Sequence, residues 1–317
     1  MEKIDAIIEA IRCERYRWTS VRRVLIPKSN GKMRPLGMLE LSNVTINGLR
    51  LGDLSDLAWD DDDNVLYALS DHGALFWLRP IFDNCMLADV MLLKAVPLRE
   101  LDGANLPPGK HLDSEGMDIL LGHNGIKGDA ELLISFERVP RIVRYRPNGH
   151  ALHEYTLPAP LREIKAYRGP NQELEAVTVD AKHGILTAPE YPLKSEVKGY
   201  NRIFNLSGSS WLYPIAPNSG IVSMKSLGKR GLLILERDYK SVLPGFLVSL
   251  KKVATLQADS SVPLSVETLV TLDSSKGFNI DNFEGLAAHR NNRFFLVSDN
   301  NGMFFQRTLL LYFELLE

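Results

Sequence analysis

The sequence predicts an all-β chain, a β-propeller of five four-stranded blades, with a sixth, irregular blade as the alternative count. Three observations lead there. From about residue 38 onward, short apolar stretches alternate with turn residues, and no helical period persists beyond about two turns. One unit recurs: a small or acidic residue before an apolar strand, a turn, then a second strand ending in an acid. Its copies begin near residues 55, 115, 175, 220 and 284, a spacing of roughly the 40–60 residues that a four-stranded blade occupies.

Composition sets the outer bounds. The 317 residues are 45% hydrophobic and 24% charged, with a formal net charge of −2, which is ordinary for a globular chain with a sizeable core. That balance argues against nucleic acid or an anionic membrane as partner and leaves a small molecule, bound by a monomer, as the expectation. Cys13 and Cys85 have no metal-ligand spacing and no disulfide framework. The apolar run Leu309-Leu310-Leu311-Tyr312-Phe313 is far too short to span a bilayer. Glu2 and Asp5 stand where a signal peptide needs its apolar core, so the sequence predicts no export signal and, as written, a cytoplasmic product.

The front of the chain differs from the rest. Residues 1–37 hold nine Lys/Arg against four Asp/Glu, and the remainder 28 against 35. Ile4, Ile7, Ile8 and Ile11 fall at i, i+3, i+4 and i+7, which predicts a short amphipathic helix over residues 4–13. A basic strand follows and ends in an Asn30-Gly31 turn. The run Val21-Arg22-Arg23-Val24-Leu25-Ile26-Pro27-Lys28, continued by Asn30-Gly31-Lys32-Met33-Arg34-Pro35-Leu36-Gly37, closely resembles the first conserved blocks of group II intron reverse transcriptases. No Tyr-Ala-Asp-Asp motif follows it, and a polymerase without the carboxylates that bind its metals cannot work. The expected organisation is therefore a reverse-transcriptase-like fragment over 1–37, without polymerase function, and a propeller over 38–317.

Within the propeller the copies run in order. The first is Leu54-Ser55-Asp56-Leu57-Ala58 to Leu69-Ser70-Asp71, and the second Ser114-Glu115-Gly116-Met117-Asp118 to Ile134-Ser135-Phe136-Glu137. The third is Leu174-Glu175-Ala176-Val177-Thr178 to Thr187-Ala188-Pro189-Glu190. A weaker fourth reads Ser219-Gly220-Ile221-Val222 to Ile234-Leu235-Glu236-Arg237-Asp238, and the fifth Phe283-Glu284-Gly285-Leu286-Ala287 to Val297-Ser298-Asp299. Further strands fit at residues 74–79, 88–95, 141–146, 151–157, 246–251, 266–272 and 308–315. A strand at 39–49 would complete the last blade and close the ring, removing open sheet edges.

Antiparallel pairing puts the start of a blade's first strand beside the end of its second. The repeat thus gathers Glu115, Glu175 and Glu284 with Asp71, Glu137, Glu190, Glu236 and Asp299 around one mouth of the channel. Carboxylates so crowded cannot all stay ionised unless a cation joins them. An oxygen-rich, sulfur-free set suits Ca²⁺. Glu115, Glu175, Glu284, Glu190 and Glu236 are the expected ligands, and Glu137, Asp71 and Asp299 the catalytic groups. Arg138, Arg237 and His72 would hold an anionic ester. For any one acid the alternative is structural, capping a turn or accepting N–H bonds from the next blade. The glycines of Glu115-Gly116 and Glu284-Gly285 allow close backbone approach. His111 reads as a loop residue, residues 60–63 (four aspartates) as a solvated turn, and Trp59, Trp77 and Trp211 as packing.

With these residues in view, residues 50–317 resemble the phytase-like family, described as having the esterase-like activity of phytase. The matching stretches are Leu54-Ser55-Asp56-Leu57-Ala58-Trp59 with Leu66-Tyr67-Ala68-Leu69-Ser70-Asp71, Asp113-Ser114-Glu115-Gly116-Met117, and Asn282-Phe283-Glu284-Gly285-Leu286 with Leu296-Val297-Ser298-Asp299-Asn300. The resemblance implies a propeller, usually exported to the periplasm or outside, with esterase or phosphoesterase chemistry. Ser55 departs from it, standing where the other copies carry Glu. The function expected is calcium-dependent hydrolysis of phosphate or other esters; the alternatives are a calcium-dependent lactonase and a non-catalytic binding platform. No Gly-x-Ser-x-Gly elbow supports a serine nucleophile.

Overall fold

The structure is a computed structural model and describes residues 32–41, 45–240, 245–257, 261–276, 278, 280–303 and 306–316. The helix expected over 4–13, and most of the stretch that resembles a reverse transcriptase, lie outside the described residues.

Five four-stranded antiparallel sheets follow one another. β1 (Met33–Glu40) precedes a small hairpin, β2 (Thr45–Ile46) and β3 (Leu49–Arg50). Blade one is β4 (Leu54–Asp60), β5 (Val65–Ser70), β6 (Ala74–Asp83) and β7 (Met86–Pro97). Blade two is β8 (Ser114–Leu120), β9 (Glu131–Phe136), β10 (Arg141–Tyr145) and β11 (Ala151–Tyr155). Blade three is β12 (Leu174–Asp180), β13 (Gly184–Pro189), β14 (Tyr200–Asn205) and β15 (Ser210–Pro214). Blade four is β16 (Ser219–Ser226), β17 (Leu232–Lys240), β18 (Gly245–Val253) and β19 (Val266–Asp273). Blade five joins β20 (Asn282–Ala288), β21 (Arg293–Asp299) and β22 (Leu309–Leu315) to β1 as its outer strand.

The closing strand is a correction to the expectation. It is Met33–Glu40, paired from Met33↔Leu315 to Glu40↔Leu309, rather than residues 39–49. Burial explains the choice, because Met33, Leu36, Met38 and Leu39 are each at most 5% exposed there. Residues 45–50 instead form the small hairpin. β6 and β7 run longer than expected because a two-residue turn joins them. Asn84 and Cys85 both have positive φ, 47° and 64°, the backbone that matches the twist of a hairpin.

The inner strands touch in ring order, β4 to β8, β12, β16, β20 and back to β4. They are buried on both faces, as β4 is along its whole length. The core is correspondingly divided: each of five apolar clusters lies between two neighbouring blades. Leu57, Phe76, Phe295 and Tyr312 mark the seam of blades one and five, and Leu133, Ile142, Val177 and Phe204 that of blades two and three. Each blade therefore buries both of its faces against partners, which is what a half-apolar sheet needs.

The two glycines do what the sequence suggested. A Cβ on Gly116 would meet Glu175 O at 2.3 Å, and one on Gly285 would meet Asp56 Cα at 2.7 Å. Neighbouring inner strands pack backbone to backbone there. Below them Asp56 closes the channel. Its carboxylate accepts hydrogen bonds from the amides of Leu57, Met117 and Leu286 at 2.8–2.9 Å and from Ser223 Oγ and Lys225 Nζ at 3.1 Å. The mouth above this plug is the place where the repeated acids converge.

Candidate metal centre at the channel mouth

Each inner strand starts with the same irregularity. Pairing with its second strand breaks at a β-bulge or similar irregularity: Ser55, Glu175, Val222 and Glu284 are each skipped singly, and in blade two Glu115 and Gly116 are skipped together opposite Ser135. A bulge leaves its extra residue unpaired and re-aims its side chain. Three of the five bulge residues are thus glutamates delivered to the channel mouth. The residue after the partner strand's last equivalent pair supplies a second tier: Asp71, Glu137, Glu190, Arg237 and Asp299. A third tier precedes each bulge by two residues: Asp53, Asp113, Glu173, Gly220 and Asn282. The amides of Asp71, Glu137 and Glu190 bond to the carbonyls of Asp53, Asp113 and Glu173 at 2.9–3.1 Å, which fixes the tiers against one another.

Blade four is the exception in all three tiers. The pairing Ile221↔Glu236 is the equivalent of Leu54↔Ser70 and Leu174↔Pro189. Arg237, not Glu236, therefore occupies the acid position. Side chains alternate along a strand, so Glu236 points the other way. It lies in the seam between blades and accepts hydrogen bonds from Lys251 Nζ at 2.7 Å and Tyr213 OH at 2.5 Å. The structure does not bring it to the mouth with the other expected ligands. Arg237 is largely buried, its side chain 12% exposed, and engaged: Nη2 donates to Glu190 Oε1 at 2.8 Å, and Nη1 donates to Asn282 Oδ1 at 2.8 Å and to Glu284 Oε1. It serves two carboxylates rather than standing free for a substrate anion.

Of the other expected acids, Glu115, Glu137, Glu175, Glu190 and Asp71 come together in groups, and Glu284 and Asp299 join none of these. Donor oxygens of Glu137, Glu175 and Glu190 lie within 4.8 Å of one another, and so do those of Asp113, Glu115 and Glu137. Glu137 belongs to both groups. A third group joins Asp53, Asp71 and His72. There His72 Nε2 is 3.3 Å from Asp53 Oδ2, and Nδ1 is 3.2 Å from Asp71 Oδ1. Arg138 lies at the rim, paired with Asp113 at 2.5 Å and donating to Asn171 Oδ1 at 2.8 Å. Asp53, Asp113 and Glu173 were missed in the sequence. Their signal is an acid two residues before the bulge, as in Asp113-Ser114-Glu115 and Glu173-Leu174-Glu175. His111 stays in a loop; its carbonyl accepts from Arg141 Nη2.

The electrostatics follow from burial and crowding. Burial, then the charges of Glu137, Asp113, Asp71 and Asp299, holds the Glu115 carboxyl well above its usual range. Burial with Glu115, Glu190 and Glu137 does the same to Glu175 against the opposing pull of Arg237. Burial foremost pushes Glu137 up to about 8, Asp71 to about 7 and Asp299 to about 6. The hydrogen bond to Asp53 raises His72 to about 8.

These residues fit a hard cation. Among the described residues nothing donates a hydrogen bond to the side chain of Glu115 or Glu175, although Glu175 is only 6% exposed. Asp71 Oδ1 and Asp113 Oδ2 are buried and accept no hydrogen bond of good geometry, although His72 Nδ1 lies 3.2 Å from the first and Arg138 Nε 2.5 Å from the second. Carboxylates crowded together in this way are costly to keep ionised unless a cation joins them. The donors are almost all oxygens, the set that suits Ca²⁺ or Mg²⁺ over softer metals.

The residues 60–63 turn out to be a clamp. Asp62 accepts from the amides of Asn124 and Gly125, and Asp63 from that of Gly128, at 2.8–3.0 Å. They pin a long loop of blade two and lie at the ends of β4 and β5 remote from the mouth. The tryptophans pack between blades, with Trp77 Nε1 donating to Pro147 O at 3.0 Å and Trp211 Nε1 to Gln257 O at 2.7 Å. No helix among the described residues is long and apolar enough to cross a membrane.

Comparison with known proteins gives the following similarities. The Neurospora crassa Pan2 WD40 domain is similar over 90% of this chain and 96% of its own, at 11% identity and a TM-score of 0.41. The propeller domain of Myceliophteria thermophila Cps50 (Swd1) is similar over 95% and 99%, at 11% identity and a TM-score of 0.43. Among curated proteins none is significantly similar. The family model for phytase-like proteins, described as esterase-like activity of phytase, matches residues 49–302: the chain belongs to that family.

Proposed function

We propose that the chain is a cation-dependent hydrolase of phosphate or other esters, working at the acidic mouth, with calcium as its metal. One observation carries the reading: donor oxygens of the buried residues Glu137, Glu175 and Glu190 lie within 4.8 Å of one another, and nothing among the described residues donates to the Glu175 side chain. Glu115, Glu137, Glu175 and Asp113 are the residues to hold the ion. A bound cation there would polarise the ester and favour ionisation of an attacking water. Glu137, shared by both groups, is a ligand in this scheme rather than the free base that the sequence suggested. Asp71 takes that role, since its Oδ1 is buried without a hydrogen bond and beside His72 Nδ1. Its carboxyl, pushed up to about 7, can accept a proton from water near neutral pH. His72, largely exposed, and Arg138, half-exposed at the rim, are the cations that face an incoming anionic group. Beyond these residues Asp56 and Lys225 form a buried ion pair that links the inner strands of blades one and four.

The test is an assay of p-nitrophenyl phosphate, p-nitrophenyl acetate and phytate, each with calcium and with EDTA. Turnover of at least one substrate that EDTA abolishes is expected. No turnover in either condition would remove the reading and leave a binding platform.

A further inference from the structure

We infer that Arg237, seated beside Gly220, is a built-in counter-cation that takes the place of one metal ion and confines the exchangeable ion to blades two and three. The inference deepens the proposed function and rests on its reading of the mouth as a cation site. It starts from the broken symmetry. At the three tiers where other blades carry Asp53, Asp113, Glu173 or Asn282, then Ser55 or glutamates, then Asp71, Glu137, Glu190 or Asp299, blade four carries Gly220, Val222 and Arg237. It offers a vacancy, an apolar side chain and a fixed positive charge.

The vacancy is occupied. A Cβ on Gly220 would lie 2.7 Å from Glu190 Cγ and 2.9 Å from Glu190 Oε1. Gly220 is not among the residues with positive φ, so its backbone suits any residue, and only space for Glu190 demands glycine here. Glu190 thus leans over blade four, where Arg237 Nη2 donates to it at 2.8 Å. The other amino group of Arg237 reaches Glu284 and Asn282 of blade five, and Asn282 Nδ2 donates to the same Glu284 oxygen at 2.7 Å. The guanidinium bridges two carboxylates from different blades, the arrangement that a shared metal ion would adopt. A planar fork does this without exchanging with solvent.

The distribution of leftover charge follows. Glu190 and Glu284 are neutralised from within. Glu175, 6% exposed, has no donor among the described residues, and Glu137 and Glu115 have no basic side chain bonded to them. Demand for an external cation is therefore concentrated on the side of blades two and three. Arg237 does not touch substrate in this account; it is a positioning residue that sets how many ions the mouth takes and where.

The experiment counts ions. Calcium and terbium binding would be measured by calorimetry and by Tb³⁺ luminescence on the full chain after EDTA treatment, with circular dichroism to confirm folding. Arg237→Gln should bind one more ion than the wild type, because Glu190 and Glu284 then lack their counter-charge. Arg237→Lys, which keeps the charge, should keep the wild-type number. Gly220→Ala, which crowds Glu190 without touching the charge, should keep the number and weaken affinity about ten- to a hundredfold. An unchanged count in a folded Arg237→Gln would overturn the inference while leaving the hydrolase reading intact. An ion bound only by Arg237→Gln would overturn both the placement of a wild-type ion at blades two and three and the calcium requirement of the wild type. If Arg237→Gln does not fold, Gly220→Ala decides: unchanged affinity would sink the claim that this seat shapes the site.

Discussion

Asp56 of blade one and Lys225 of blade four form an ion pair at 3.1 Å in the middle of the channel, with side chains 0% and 3% exposed. Lys225 Nζ also donates to the carbonyl of Met117 on blade two. One pair therefore ties β4, β8 and β16 together, and the Leu286 amide adds β20. Burial pushes the Asp56 carboxyl up and Lys225 opposes it. Breaking such a pair leaves an uncompensated buried charge. Lys225→Met is expected to cost about 3–5 kcal/mol near neutral pH, and the cost should shrink in acid as Asp56 takes a proton. Asp56→Asn combined with Lys225→Met should recover much of the loss. Urea unfolding at pH 7 checks it: equal midpoints for the single and double variants would show that the pair is not the source.

The mouth predicts an unusual pH response of the metal-free protein. Asp71, Glu137 and Asp299 are raised to about 7, 8 and 6, above their ordinary carboxyl values. The folded state therefore holds protons that the unfolded chain has released, and stability falls as pH rises from the ordinary carboxylate range to about 8. His72, raised to about 8, acts in the same sense between its usual value and 8. In EDTA the melting temperature should be higher at pH 6 than at pH 8. Calcium should raise it more at pH 8, where the carboxylates are free to bind. A melting temperature in EDTA that climbs from pH 6 to 8 would contradict the crowding argument.

His289 works in the opposite direction. It packs edge-on against Trp59 at 4.6 Å between centroids, and its Nδ1 is 2.8 Å from Tyr312 OH. Burial, with the Arg290 charge second, lowers it to about 4. A histidine held neutral in the fold costs stability as pH falls from its unfolded value toward 4. His289→Phe keeps the aromatic packing and removes the titration. Urea midpoints for wild type and variant should converge between pH 7 and pH 5, and parallel decline would show that His289 does not titrate in this window.

Ring closure can be tested at β1. Met33, Leu36, Met38 and Leu39 are buried against blades one, four and five. Each contributes about 1.5–3 kcal/mol on burial, and removing the strand exposes the edge of β22. A chain beginning at residue 42 should melt lower than the full chain and aggregate on heating. Matching thermal curves would mean that the last blade holds with three strands.

The blade repeat was legible because it combines period-two apolar strands with an acid at a fixed place, and both survive in blades two, three and five. The fourth copy misled for a physical reason. In Leu235-Glu236-Arg237-Asp238 three consecutive residues are charged, and only the pairing Ile221↔Glu236 tells which of them faces the channel. Register is a property of two strands and cannot be read from one. The closing strand was displaced for a related reason: residues 33–37 read in the sequence as part of the front segment, while their burial depends on β22, almost 280 residues away. The tier of Asp53, Asp113 and Glu173 was visible as acids at i and i+2, yet it resembled ordinary turn chemistry until the tiers stacked.

Glu175 brings stability and binding into opposition. It is buried, nothing donates to its side chain among the described residues, and after burial the charges of Glu115, Glu190 and Glu137 push its carboxyl up. Glu175→Gln keeps the shape, removes the charge and supplies amide hydrogens to the surrounding carboxylates. In EDTA at pH 8 the variant should be more stable than the wild type by on the order of 1 kcal/mol, since an uncompensated buried group is gone. In saturating calcium the order should reverse, because a tenfold loss of affinity removes about 1.4 kcal/mol of ligand stabilisation. Thermal melts in the two buffers read both effects on the same preparations. A variant weaker than the wild type in EDTA as well as in calcium would make Glu175 a packing residue, and the reason for a cation at this mouth would go with it.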